Sequence, residues 1–289
     1  MASMIEAPGV VSDAELAELG GPDRTLLSDL AALIQRFVVL PSDEHARLLA
    51  LWVLHTWTFD AARATAYLYV HSDDPQCGKT RLIEVLELLV RNPMRAANMT
   101  PSVLFRAIEV YCPTILWDEV DTVWSGSRNE MMRAIINAGY AQGGVVWRIL
   151  QMQPKPYDCF CPKLLAGIHN GFMPETIIDR AIPFKLKRKK PGQECERFNA
   201  KDVSASGEVE ALLRRIDAFV LNFGPLVGMQ RPGPITAVSD RQNEICEPLL
   251  ALARVFGTED QTREDIRTMF ASMTSAPNAL QRLLGAIRA

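Results

Sequence analysis

Residues 66–90 hold the segment that most constrains this chain. A run rich in aromatic and β-branched residues, A-Y-L-Y-V-H at 66–71, leads into S-D-D-P-Q-C-G-K-T at 72–80. Residues 80–90 (T-R-L-I-E-V-L-E-L-L-V) then carry apolar residues at helical spacing. The pattern predicts a strand, a tight turn and a helix. Gly78, Lys79 and Thr80 fill the last three places of G-x-x-x-x-G-K-[ST], and Asp73 stands where the first Gly is expected. A turn of this kind points backbone N–H groups and a helix N-terminus at phosphate oxygens. Asp74, Pro75, Gln76, Cys77, Gly78, Lys79, Thr80 and Arg81 are therefore the candidate nucleotide-binding set. Gly78 would let the main chain approach closely, Pro75 would stiffen the turn, Lys79 would reach the β- and γ-phosphates, and Thr80 would hold Mg²⁺ through its hydroxyl. Asp73 is the awkward residue, because phosphates repel a carboxylate, so its side chain is expected to point outward. The plain alternative is a chance G-K-T at a helix start.

A second segment, C-P-T-I-L-W-D-E-V-D at 112–121, weighs against chance. Its apolar run at 114–117 has the character of a buried parallel strand. Asp118 at the strand end would hold Mg²⁺, and Glu119 would polarise the attacking water, since phosphoryl transfer needs mainly positioning and charge stabilisation. Asp121 is a weaker candidate, a cap for the segment that follows. Together the two segments imply binding of ATP with Mg²⁺, and its hydrolysis.

Composition narrows the class. The chain has 289 residues, 48% hydrophobic and 22% charged, as a globular protein does. Its net charge of −3 excludes a basic nucleic-acid binder, so any such contact must come from a local patch. The clearest basic run is K-L-K-R-K-K at 185–190, which also reads as a solvated strand end before Pro191-Gly192. The six cysteines form no C-x-x-C pair and the four histidines are scattered, so no zinc motif is visible. Free thiols and the absence of a signal-peptide or membrane-spanning pattern lead to the expectation of a cytoplasmic protein without a membrane partner.

The expected fold class is α/β, a parallel-sheet core with N-terminal helices and a C-terminal helical lid. Residues 1–63 form the N-terminal helical region, with helices at 23–38 and 42–57, packed on a core at 64–190. Strands alternating with helices in that core imply a largely parallel sheet covered on both faces, with ligand at the carboxyl ends of its strands. Residues 191–207 are polar and breaker-rich and read as a linker. Residues 208–289 form the lid, with helices at 208–223, 241–256, 263–273 and 279–287, and a loop at 225–234.

Several stretches resemble a known family: L-W-V-L-H-T at 51–56, C-G-K-T-R-L-I-E-V-L from Cys77, P-T-I-L-W-D-E-V-D from Pro113, N-A-G-Y from Asn137, L-A-G-I from Leu165, D-R-A-I-P-F from Asp179 and E-P-L-L-A-L-A from Glu247. They are similar to the AAA+-like P-loop ATPase domain, formerly of unknown function, of phage and mobile-element replication proteins. The resemblance implies a P-loop NTPase fold and a replication-associated ATPase or helicase. It also implies further roles: Asn170 as a polar sensor of the γ-phosphate, Arg180 as an arginine finger that completes a neighbour's site, and Arg241 as a second phosphate sensor. A trans-acting finger implies a homo-oligomer, a ring or partial ring. Two strands at 145–151 and 156–161, with a turn at 152–155, look like the hairpin that such helicases project into a central pore. Lys155 at its tip and nearby Arg148 are thus candidate contacts to single-stranded or duplex DNA. The alternatives are an ATPase that loads or remodels a replication protein partner, and a nucleotide-gated interaction protein with little turnover.

Overall fold

The computed structural model describes residues 21–124, 129–168 and 173–274. Two helices, α1 (Leu26–Phe37) and α2 (Asp43–Thr58), precede the first strand, β1 (Tyr67–Ser72). Then follow α3 (Lys79–Glu87), β2 (Pro93–Ala96), α4 (Pro101–Tyr111), β3 (Thr114–Trp117) and α5 (Asn129–Ala138). A hairpin of β4 (Val145–Leu150) and β5 (Gln153–Asp158) leads to β6 (Lys163–Ile168), α6 (Glu175–Ile178) and β7 (Ala181–Lys185). Four helices complete the described chain: α7 (Ala200–Ala205), α8 (Glu208–Met229), α9 (Asp240–Val255) and α10 (Glu259–Thr274).

The architecture is α/β. Five strands form a sheet in the order β2-β3-β6-β1-β7, and each neighbouring pair is parallel. The three central strands are buried along nearly their whole length because both faces are covered. Alternation sorts their side chains. Leu68, Val70, Leu116, Leu164 and Ala166 face one core with α1, α2, α3 and the helices after residue 207. Tyr67, Tyr69, Ile115, Trp117 and Leu165 face another, with α4, α5 and the hairpin. Among the described residues no helix is long and apolar enough to cross a membrane.

Two boundaries differ from the sequence expectation. The 191–207 segment is not a bare linker: it contains α7, buries Val203, and sets Phe198 edge-on against Phe37 with ring centres 5.1 Å apart. The helices after residue 207 share one continuous core with α1 and α2. Helix α8 runs through Pro225 to Met229, although 225–234 reads as a loop. Burial of Leu226 and Val227 offsets the backbone bond that proline removes.

The hairpin is also tighter than expected. Leu150 pairs with Gln153, so the turn is Gln151-Met152, with φ of 49° and 64°. Two residues at positive φ match the right-handed strand twist. Lys155 thus lies within β5, opposite Arg148, and not at the tip.

Candidate functional site at the carboxyl ends of β1 and β3

Strand β1 lies between β6 and β7, while the chain leaving it forms β2 and β3 on the far side of β6. Connections diverging from a central strand leave a crevice at its carboxyl end, the place where open parallel sheets bind ligands. The loop at 73–78 sits there. Gln76 has φ of 61° and Gly78 of 90°, both left-handed, which turns the chain sharply into α3. Gly78 tolerates that conformation because it lacks a Cβ. The buried Cys77 thiol donates to the Asp74 carbonyl at 3.2 Å, and Ser72 Oγ donates to the same carbonyl at 2.6 Å. Lys79 Nζ donates to Ser72 Oγ at 2.6 Å, folding the ammonium back over the loop.

A carboxylate from just beyond β3 meets the start of α3. Thr80 Oγ1 donates to Asp118 Oδ2 at 2.9 Å. Asp118 is 9% exposed, and its backbone N–H is held by the Ala96 carbonyl at 2.8 Å. The Glu119 N–H donates to Asp118 Oδ1 at 3.1 Å. Glu119 itself has φ of 55°, a strained backbone for a residue with a side chain, and its carboxylate is exposed at the crevice mouth. Strand pairing and the loop therefore bring the Lys79-Thr80 pair to the Asp118-Glu119 pair, 38 residues on from Thr80 to Asp118. Thr80 and Asp118 offer two hard oxygen ligands side by side. That set fits Mg²⁺, which takes one or two protein ligands and completes its shell with phosphate and water. Among the described residues no cluster of three or more His, Cys, Asp or Glu side chains forms an all-protein metal cage.

The awkward Asp73 has a partner that its local sequence does not reveal. Register sets His71 beside Lys185 of β7, and Lys185 Nζ lies 2.8 Å from Asp73 Oδ2. The carboxylate is exposed and turned to that cation, as the phosphate reading requires. Arg188 donates to Gln76 Oε1 at 3.3 Å. The basic run thus returns to the loop. Arg95 of β2 is a further cation here, 4.0 Å from Asp118 Oδ2, and has no motif around it. Asp121 lies in the first turn of the short 3-10 helix Val120–Trp124 that follows β3. Its Oδ1 accepts the Ile168 N–H at 3.2 Å and ties the end of β3 to β6, close enough to exclude a side chain at Gly167.

The remaining candidates lie elsewhere. Asn170 is outside the described residues. Arg180 and Arg241 stand at the amino end of β1: the Arg180 carbonyl accepts from the Tyr67 N–H, and the Tyr140 carbonyl accepts from Thr65. Both guanidinium groups lie against the Tyr140 ring, at 4.8 and 4.7 Å. Arg241 also bonds the Tyr140 hydroxyl and pairs with Glu244 at 2.6 Å. The six residues of β1, at about 3.3 Å each, separate this end from the loop. Within one chain, then, neither arginine adjoins Lys79, and Arg241 is engaged by Tyr140 and Glu244 instead of facing the loop.

The hairpin cations are engaged too. Lys155 pairs with Glu109 of α4 at 3.0 Å, and Arg148 donates to the Trp147 carbonyl and lies 5.4 Å from the centre of the Phe105 ring. The tip carries Met152, 91% exposed, and the outward face carries Trp147 and Ile149, 60% and 73% exposed. This apolar display corrects the expectation of a basic tip.

A family model described as "Protein of unknown function (DUF3631)" matches residues 185–289, from the last residue of β7 onward. The matched part includes Arg188, Phe198 and Arg241, and excludes the loop and the acidic pair. No curated protein matches the chain.

Proposed function

We propose that this chain is a P-loop ATPase that binds Mg²⁺ and ATP at the carboxyl ends of β1 and β3 and hydrolyses the γ-phosphate. The observation that carries the reading is the 2.9 Å contact of Thr80 and Asp118, flanked by Lys79 and by the left-handed Gly78. Backbone N–H groups of the loop and of the first turn of α3 would cradle the phosphates, and Lys79 would exchange Ser72 for phosphate oxygen. Mg²⁺ held by Thr80 and Asp118 would neutralise charge on the phosphates. Glu119 would orient the attacking water and accept its proton. Arg180 lies a strand's length from the loop of its own chain, and the resemblance gives it a role at the site of a second copy, so the proposal includes a homo-oligomer.

Two biological roles follow for such an ATPase. The resemblance to replication proteins supports a motor that moves on DNA. The exposed apolar face of the hairpin, with Arg148 and Lys155 engaged internally, favours instead an ATPase that loads or remodels a protein partner.

The test is steady-state ATP hydrolysis across a range of protein concentrations, with and without single-stranded DNA, beside Lys79→Ala. Turnover that rises with concentration and vanishes in the variant supports the reading. Nucleotide affinity undiminished in Lys79→Ala removes the phosphate-loop assignment. Stimulation by DNA selects the motor, and hydrolysis indifferent to DNA selects the protein-directed role.

A further inference from the structure

We propose that the cleft beside the first turns of α3 is the nucleoside site, with Phe198 as the surface against which the base lies. The inference rests on the nucleotide-binding reading above and deepens it. The 197–202 segment, which reads as linker, folds back beside α3 and walls a cleft of about 990 Å³. Arg81, Glu84, Arg95, Arg197, Phe198 and Asn199 are among its lining residues. Arg81 follows Thr80 directly, so the cleft opens where the phosphate-binding turn ends.

The lining chemistry selects the ligand. Arg81 pairs with Glu84 at 3.0 Å, and Arg95 lies 3.9 Å from Glu84 and 3.8 Å from Glu87. Carboxylates thus already neutralise two of the three cleft arginines, so the cleft is a poor second phosphate site and a poor groove for a nucleic-acid backbone. It offers flat faces and hydrogen-bonding edges instead. The Arg81 guanidinium lies 5.3 Å from the centre of the Phe198 ring, and Phe37 meets that ring edge-on. Heteroaromatic rings stack on phenyl and guanidinium planes alike. Glu84 and Glu87 are acceptors suited to sugar hydroxyls. An uncharged base carrying a ribose, attached to phosphates at the start of α3, satisfies each of these groups.

The experiment compares equilibrium binding of ATP and of inorganic triphosphate, both with Mg²⁺, to the wild type, Phe198→Leu, Phe198→Tyr and Lys79→Ala. Phe198→Leu should weaken ATP about tenfold or more and leave triphosphate binding unchanged, while Phe198→Tyr keeps ATP affinity within about threefold. Phe198 also packs on Phe37, and the tyrosine variant keeps that contact. Equal affinity of the wild type and Phe198→Leu for ATP would overturn the proposal. So would parallel loss of ATP and triphosphate in Phe198→Leu, because the ring would then act through the loop. A wild type that binds neither ligand would overturn the nucleotide reading itself, and this site with it. Loss of both ligands in Lys79→Ala alone keeps the two apart.

Discussion

Thr80 at the start of α3 and Asp118 at the end of β3 are joined by a 2.9 Å hydrogen bond across 38 residues of sequence. The bond sets a hydroxyl beside a nearly buried carboxylate where phosphates would arrive. Asp118→Asn preserves an acceptor for Thr80 but removes the charge that the proposed Mg²⁺ site needs. Hydrolysis should fall by about 10²-fold or more, and the Mg²⁺ concentration for half-maximal rate should rise. A magnesium titration of the variant checks this, and an unchanged titration curve would move the metal elsewhere.

Glu119 combines an exposed carboxylate with a left-handed backbone, and the two can be separated. Glu119→Gln should keep ATP binding and lose about 10²-fold or more in turnover. Glu119→Gly should lose turnover equally yet hold or raise the melting temperature, because glycine relieves the positive φ. Paired thermal melts and hydrolysis rates decide it, and wild-type turnover in either variant assigns the water-positioning role to another group.

Lys163 is buried at the base of the hairpin, where its Nζ donates to Tyr67 Oη and to the carbonyls of Cys159 and Cys161. Lys163→Met keeps most of the volume and strips the donor from those acceptors. A loss of about 3 kcal/mol or more is expected in urea unfolding, since each buried acceptor left unpaired costs about 1–3 kcal/mol. A loss below about 1 kcal/mol would show that the hairpin base reorganises.

His55 is buried against Thr65, with its Nε2 2.7 Å from Thr65 Oγ1, and burial lowers its pKa to about 3. The ordinary value is 6.5, so below pH 6.5 the unfolded chain takes up a proton that the folded chain refuses. The stabilisation is complete above pH 6.5 and is lost as pH falls from there toward 3, about 2 kcal/mol by pH 5. His45, lowered to about 4 chiefly by burial, adds a contribution of the same sign. His55→Gln should flatten the dependence of melting temperature on pH between 7 and 5. An unaltered slope would place the acid sensitivity in other groups.

What was legible in the sequence was local or periodic. The strand, turn and helix at 66–90 and the acidic strand end at 114–119 appear where pattern puts them, because hydrophobic period and turn chemistry act over a few residues. The parallel sheet follows from strands alternating with helices. Two prolines sit inside elements rather than in the turns between them. Pro225 sits inside α8 because burial of its neighbours outweighs the lost backbone bond. Pro154 lies within β5 rather than in the turn, because Gln151 and Met152 adopt the positive φ that a tight hairpin needs.

The chain by itself determined which chemistry is present: a glycine-lysine-threonine turn, an aspartate-glutamate strand end and scattered arginines. The tertiary structure decided which of these groups meet. It gave Asp73 its Lys185, brought Arg95 to Asp118, stacked Arg180 and Arg241 on Tyr140 at the far end of β1, and folded Phe198 back to α3. None of these pairs has a sequence signature, because each joins residues that only strand order, register and the packing of helices on both sheet faces bring together.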